Sequence, residues 1–365
     1  MIKNQLGKFV TIKTGKLDAN ASSFDGLYPF FTCSKEPLKI STYSYDCKCV
    51  LVAGNGDLNV KYYEGKFDAY QRTYIIQSKD ESILDTRYLY WFLYKYVEKL
   101  RELSIGGVIK YIKINNLTDP IIPLPPIDDQ KRIVQIIDKA DALCQKRKES
   151  IKSLDDYLKS VFLEMFGDPV KNPKKWPRQK FEKLGTLDRG KSKHRPRNAP
   201  ELLGGEHPLI QTGDVANAEL YIEKYNSTYS DIGLKQSKKW PKGTLCITIA
   251  ANIAKTGILN FDACFPDSVV GFMADKNITN PVFIHFWMSF FQKILEESAP
   301  ESAQKNINLR ILRDLDVISP PLELQNKFSE IVQKTESIKQ KMFIQSTELE
   351  AQFQSLIQKA FKGEL

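Results

Sequence analysis

The sequence predicts an α+β protein: two copies of one mixed α/β domain, separated by two long helices that form an antiparallel coiled coil. Three observations carry this expectation. A Pro-Pro-x-x-x-Gln segment occurs twice, a long apolar 4-3 repeat follows each occurrence, and short β-type runs precede each.

The repeat comes first because it sets the architecture. Pro125-Pro126-Ile127-Asp128-Asp129-Gln130 matches Pro320-Pro321-Leu322-Glu323-Leu324-Gln325 at a shift of 195 residues, and Lys110, Ile112, Leu117 and Asp119 fall on Lys305, Ile307, Leu312 and Asp314. Upstream, Thr11–Lys16 falls on Thr186–Lys191 at a shift of 175, and Tyr28–Phe31 falls on His207–Ile210 at 179. The growing shift places extra residues in the middle of the second copy, where surface loops accept insertions. The expected boundaries are 1–124 and 178–319 for the domains, 125–168 and 320–365 for the long helices, and 169–177 for a linker.

Within each domain, runs such as Cys49–Val52 and Leu245–Ile249 are separated by Gly, Asn and Asp turns and read as strands. The aromatic segments Tyr88–Leu93 and Val282–Trp287 read as helices packed on the sheet, with His285 expected to be a core residue.

After Gln130, apolar residues recur at Ile133, Ile137, Ala140, Cys144, Ile151, Leu154, Leu158, Val161 and Met165, interrupted by Arg147. This 4-3 spacing is a coiled-coil seam. The second tail repeats it more loosely through Phe328, Val332, Thr335, Ile338, Met342, Leu349, Phe353, Leu356 and Ala360, with Gln345 interrupting. Helix 1 of about 37 residues would reach roughly 55 Å. Matching Leu158–Phe162 to Ile357–Phe361 leaves four extra residues in helix 2, the size of a stutter. Helix 1 leaves domain 1 for domain 2, so pairing with helix 2 inside the chain is antiparallel. The alternative open at this point is that the helices only dimerise the protein.

The 365 residues carry a net charge of +9 and a pI near 9.0, which favours a polyanionic partner without demanding one. Six cysteines without a CxxC pair and only three histidines argue against structural zinc. The start Met-Ile-Lys-Asn-Gln lacks the layout of a signal peptide, and no apolar run approaches the ~20 residues of a bilayer span. The expected location is cytoplasmic, away from membranes and with reduced thiols.

If the partner is nucleic acid, Gly190–Arg197 is the first place to look: Lys191, Lys193, Arg195 and Arg197 lie on a loop with no acid. Lys16 sits in its weaker counterpart in copy 1. Base edges are distinguished by side chains such as Arg, Asn and Gln, supported by Ser and Thr. Thr32 and Ser34 in copy 1, and Gln211 and Thr212 in copy 2, follow the repeated Pro-containing strand. Further candidates are Lys61 and Tyr62, Gln71 and Arg72, Lys110 and Tyr111, and Lys305, Asn306 and Asn308. Ordinary exposed surface is the competing account of each.

Enzyme signatures are missing. No cofactor-binding glycine loop or Asn/Asp-Pro-Pro-aromatic segment marks a methyltransferase, no phosphate loop marks an ATPase, and Pro266-Asp267 lacks the downstream acid and lysine of a metal-dependent nuclease. No catalytic, cofactor or metal residue is assigned to this chain.

The order domain, Pro-Pro-x-x-x-Gln, long helix, repeated once, resembles the specificity subunit of a type I restriction-modification system. The likeness spans nearly the whole chain. It rests on Ile122–Pro126 with Gln130, Ile133 and Val134, on Ile318–Pro321 with Gln325, on Tyr28–Phe31, and on Leu163–Pro169 closing helix 1. The resemblance implies two target recognition domains reading the halves of a split, asymmetric site on double-stranded DNA, and helices that set the spacing and dock methyltransferase subunits. It implies S-adenosylmethionine on those subunits, and ATP and Mg on a further restriction and translocase subunit. Lys139, Gln145, Lys148, Gln333 and Lys341, outside the seam, are candidates for docking or for plain solvent exposure. The alternatives are the specificity component of a related, simpler methylation and restriction system, and a coiled-coil interaction protein with no DNA role.

Overall fold

The computed structural model describes residues 2–250, 253–298 and 307–365. The chain forms two compact units, residues 1–149 with 343–365, and residues 150–342. Unit 1 contains β1 (Ile2–Gln5), β2 (Val10–Thr14), β3 (Tyr28–Phe31), β4 (Leu38–Ile40), β5 (Tyr45–Ala53), β6 (Val60–Ala69), β7 (Thr73–Ser78), α1 (Thr86–Leu103), α2 (Asn115–Thr118), β8 (Ile121–Leu124) and the first part of α3 (Ile127–Phe166). Unit 2 takes the remainder of α3, then β9 (Arg178–Lys180), β10 (Gly185–Arg189), β11 (Leu203–Leu209), α4 (Thr212–Ala216), β12 (Tyr221–Ile222), β13 (Ser227–Tyr229) and α5 (Asp231–Lys235). It continues through β14 (Lys239–Trp240), β15 (Leu245–Thr248), β16 (Thr256–Leu259), β17 (Ala263–Cys264), β18 (Val269–Ala274), α6 (Pro281–Ser298), α7 (Leu309–Arg313), β19 (Asp316–Ile318) and the first part of α8 (Leu322–Lys362), whose remainder belongs to unit 1.

In unit 1 a six-stranded sheet runs β2-β7-β5-β6-β3-β4, and β1 pairs with β8. In unit 2 the sheets run β10-β18-β15-β16-β12 and β13-β11-β17-β14, and β9 pairs with β19. The duplication is visible in the pairing of the shared strands. Thr14 pairs with Tyr74 as Arg189 pairs with Val270, and Val50 pairs with Ile76 as Leu245 pairs with Phe272. The parallel pair Phe30 with Asp68 recurs as Leu209 with Cys264. These are the offsets of 175, 195 and 179 read from the sequence, with one more residue, 196, from β6 to β17 and from β7 to β18.

The insertion is not the plain surface loop expected of it. Between β11 and β13 the added residues fold into α4 and β12, because Ile210, Val215, Leu220 and Ile222 are apolar and close over the unit 2 core. β12 extends the sheet beside β16.

Each repeated glutamine explains its motif. Gln130, fully buried, donates from Nε2 to the carbonyls of Ile83 (2.8 Å) and Pro125 (2.9 Å), and its Oε1 accepts from the Asp85 amide at 3.0 Å. Gln325 does the same with Ile278 (3.1 Å) and Pro320 (2.9 Å), and accepts from Thr279 Oγ1 at 2.8 Å. One amide thereby ties the entry to the aromatic helix, the Pro-Pro turn and the long helix together. α1 is further held to α3 by Asp138, which accepts from Trp91 Nε1 at 2.8 Å and pairs with Arg87 at 3.0 Å.

The long helices span 40 and 41 residues. In unit 1 their segments meet through Ile133, Ile137, Cys144, Phe353, Ile357 and Ala360, and Lys148 pairs with Glu350 at 3.0 Å. In unit 2 Phe162 and Phe166 pack on Phe328, 5.4 and 5.6 Å between centroids, and Lys339 reaches Asp155 at 2.6 Å. Early α3 therefore meets late α8, and late α3 meets early α8: the pairing is antiparallel. Lys148, one of the outer-face candidates, stitches the pair.

Seam assignments in both helices need correction: in α3 the fully buried Phe162 and Phe166 stand ahead of Val161 and Met165, which are only partly buried, and two more positions change in α8. Ile338 is exposed, and Lys339, 3% exposed, occupies the seam instead. Ile357 is buried ahead of Leu356. A lysine fits because Asp155 and Glu219 (2.7 Å) hold its ammonium, which lifts its pKa above the usual range against the cost of burial. Apolar counting could not anticipate a charge there.

Replacing Gln130 or Gln325 with Leu strands two carbonyls in a dry junction, at about 1–3 kcal/mol each. Either variant is expected to unfold at a clearly lower denaturant concentration, whereas a midpoint equal to wild type would show that the clamp is dispensable. His285, on α6 with Nδ1 2.9 Å from Thr256 Oγ1, is pushed down by burial to a pKa of about 4. The unfolded chain, near 6.5, binds that proton first, so the contribution of neutral His285 is complete above about pH 6.5 and is lost as pH falls towards 4. His285→Gln is expected to show a smaller drop in Tm between pH 7 and 4 than wild type, measured by thermal melts across pH.

Candidate nucleic-acid interface

In unit 1 the chain leaves β2 at Gly15 and lies against the end of β6: the amides of Lys16 and Leu17 reach the Ala69 carbonyl at 3.1 and 3.4 Å. Gly15 permits this, since a Cβ there would meet the Ala69 and Tyr70 carbonyl oxygens at 2.2 and 2.3 Å. The β6–β7 turn carries Gln71 and Arg72 beside it, both exposed, with the Gln71 amide donating to Leu17 O (2.9 Å) and Nε2 to Asp18 Oδ1 (3.0 Å). Arg72 O accepts from Cys33 Sγ at 3.7 Å, which brings in Thr32 and Ser34, and Thr32 Oγ1 accepts from the Ser34 amide at 3.2 Å. Thr32 itself is 7% exposed and holds the turn, while Ser34 is open to solvent.

Lys61 joins through Asn59, whose Oδ1 receives its Nζ and whose Nδ2 donates to Cys33 O at 2.8 Å. Burial pulls the Lys61 pKa down to about 8. Arg72 O also accepts from Gly54, whose carbonyl accepts from Ile112, and Gly56 donates to Lys110 O, so Lys110 and Tyr111 are tied to the same end of the sheet. Tyr62 is not. It faces α1, stacked under the Arg87 guanidinium at 4.7 Å, and its role is packing.

Unit 2 repeats the frame with other side chains. Gly190 packs on the Phe265 and Pro266 carbonyls as Gly15 packs on Ala69 and Tyr70. Exposed Lys191, Lys193, Arg195 and Arg197 follow on an irregular loop. Gln236 anchors that loop by accepting from the Lys193 (2.6 Å) and His194 (3.1 Å) amides. Arg195 bonds back to the Ser192 and His194 carbonyls, and Arg197 pairs with Asp267 at 2.6 Å. Ser192, Arg197, Asn198, Gln211, Thr212 and Ser268 line one cleft of about 310 Å³, and the buried Ser192 Oγ has no partner among the described residues.

Gln211 also spends groups on structure, closing a capping box with Asp214 at the start of α4. Asn308 caps α7 by accepting from the Ile311 amide at 3.0 Å. Lys305 and Asn306 lie outside the described residues.

Sequence reading missed Asp267 as a partner of this loop. The segment Gly190–Arg197 holds no acid, but its arginines meet one 70 residues away. The signal was available only through the repeat, by carrying Gln71 along the 196-residue offset of the two turns. Among the described residues no cluster of His, Cys, Asp and Glu is arranged to hold a metal ion, and no helix is long and apolar enough to cross a membrane. All six cysteines are free thiols.

Residues 3–153 and 173–351 each match the family described as the type I restriction modification DNA specificity domain. The chain belongs to that family. The type I restriction enzyme EcoDI specificity subunit of Escherichia coli is 29% identical over 406 aligned residues, covering 99% of this chain and 88% of the relative. The EcoBI specificity subunit of the same organism is 24% identical over 327, covering 78% and 67%. In fold, the chain is similar to the type I restriction-modification S subunit from M. genitalium, with a TM-score of 0.61 at 14% identity over 99% of this chain and 96% of that one. Within the family frame, the two matched regions each contain one Gly-to-turn crossing, Gly15 and Gly190.

Proposed function

We propose that this chain is the DNA sequence-specificity subunit of a type I restriction-modification complex, and that it recognises a bipartite, asymmetric site on double-stranded DNA without catalysing a reaction. One observation carries the reading beyond family membership. The same backbone frame recurs in both units and brings polar and basic side chains to the same end of the sheet, yet the side chains differ: Lys16, Ser34, Gln71 and Arg72 in one, Lys191, Lys193, Arg195, Arg197, Gln211 and Thr212 in the other. Equal frames with unequal side chains suit unequal half-sites, because backbone positions the reader and side chains select the base.

On this reading the partners are duplex DNA, methyltransferase subunits that carry S-adenosylmethionine, and a restriction and translocase subunit that carries ATP and Mg. The paired helices α3 and α8 supply the docking surface. Their length, rather than loop content, sets the gap between the half-sites.

Replacing Lys191, Lys193, Arg195 and Arg197 with Ala is expected to weaken duplex binding and reduce the slope of log affinity against log salt by roughly two to three, at ~0.9 for each phosphate that is no longer neutralised. An unchanged slope would remove the loop from the interface. Mapping methylated bases in cells carrying this chain and its neighbouring genes is expected to show two different half-sites around a fixed gap. A contiguous or palindromic motif would overturn the bipartite reading, and absence of any salt-sensitive duplex binding would favour a helical interaction protein instead.

A further inference from the structure

The turn between β6 and β7 in unit 1 and the turn between β17 and β18 in unit 2 are the same place in the repeated fold. Gly15 N reaches Thr73 O at 3.0 Å as Gly190 N reaches Val269 O at 2.9 Å. Thr73 N reaches Tyr70 O at 2.8 Å as Val269 N reaches Pro266 O at 3.0 Å, and Gly54 N reaches Arg72 O at 2.8 Å as Ile249 N reaches Ser268 O at 3.0 Å. This correspondence puts Gln71 on Asp267 and Arg72 on Ser268. One turn thus carries an amide and an arginine, and its copy a carboxylate and a hydroxyl.

A carboxylate is out of place where phosphates approach, unless it has work there. Asp267 Oδ1 accepts from Arg197 Nη2 at 2.6 Å, and Oδ2 lies 3.8 Å from Arg195 Nη2. All three side chains are more than a third exposed, so the pair adds little to stability. The turn does not need the carboxylate either. Its backbone is held by the bonds above and by Arg189 Nε, which donates to the Asp267 carbonyl at 2.9 Å. What the carboxylate does is hold a guanidinium. Arg presents five donors in a rigid fork, and fixing one of them aims the others, which is what bidentate contact with a guanine edge requires and what a phosphate contact does not.

We propose that this shared turn determines sequence specificity in both units, by different means: in unit 1 the turn residue is itself the reader, Gln71, held through Nε2 by Asp18 and contacting a base edge with its remaining amide groups, whereas in unit 2 the turn residue Asp267 is a positioning residue that aims Arg197 at one. The proposal rests on the DNA-reading function above. Asp267 also opposes the phosphates of any duplex on which Arg197 finds no matching base, so it trades general affinity for discrimination.

The test is selection of the full-length chain on a randomised duplex library, with wild type, Asp267→Asn, Asp267→Glu and Gln71→Ala, alongside thermal melts and affinity for unselected duplex. Wild type is expected to enrich two half-sites. Asp267→Asn is expected to melt with wild type and bind unselected duplex at least as tightly, roughly two- to tenfold tighter at low salt. Its preference at one or two positions of one half-site should fall by about five- to a hundredfold, the discrimination carried by a bidentate contact. Asp267→Glu should restore part of that preference, and Gln71→Ala should relax only the other half-site. Unchanged preferences in Asp267→Asn, loss of both half-sites together, loss of binding, or unfolding of that variant each overturn the proposal, the last by making the carboxylate a structural element. A wild-type chain that enriches no sequence fails at the underlying function instead, and is told apart by having no preference to relax.

Discussion

A single buried amide in each copy is the interaction on which the architecture depends. Gln130 and Gln325 enter the long helices at their first turn, are 0% and 1% exposed, and each satisfies two main-chain carbonyls while accepting one donor. Buried polar groups are costly unless paired, so this side chain tolerates only one relation between the aromatic helix, the Pro-Pro turn and the coiled-coil segment. The two prolines set the turn, and the glutamine locks it. With that junction rigid, the apolar seam can begin in register and the sheet of each unit is held to its helix.

The frame that results is conservative in backbone and permissive in side chain. Crossings at Gly15 and Gly190 admit no Cβ, and the turns beside them are fixed by main-chain bonds that any sequence can make. Side chains projecting from those turns are therefore free to change without disturbing the fold. This is the physical condition for a duplicated domain to keep its shape while its two copies come to present Gln71 and Arg72 in one place, and Asp267 and Ser268 in the other. Extra residues in unit 2 obey the same logic: they were absorbed as α4 and β12 because they brought their own apolar side chains.

Charge in the helix pair follows a different rule. Lys339 stands in a seam position of α8, where it is tied to Asp155 and Glu219. Ion pairs of this kind add little net stability, but they tie the helix pair to a position: sliding α3 would take Asp155 from the ammonium, and sliding α8 would draw the ammonium from both carboxylates. At the other end of α8, Lys148 and Glu350 make the exposed equivalent.

Much of this was legible in the sequence. The repeat, the Pro-Pro-x-x-x-Gln junctions, the first half of the α3 seam and the antiparallel sense of the pairing follow from residue spacing and chain order, because periodicity and repetition are one-dimensional signals, and the family was legible as a resemblance carried by the repeated junctions. The tertiary structure alone decided which candidates share a surface. Tyr62 and Lys61 are neighbours in sequence, yet alternation along β6 sends one to α1 and the other to the turn at Cys33. Ile338 and Lys339 exchange roles because the seam counts three-dimensional neighbours, not hydrophobicity. Asp267 meets Arg197 only because two strands bring distant turns together, and no local window of sequence contains that encounter.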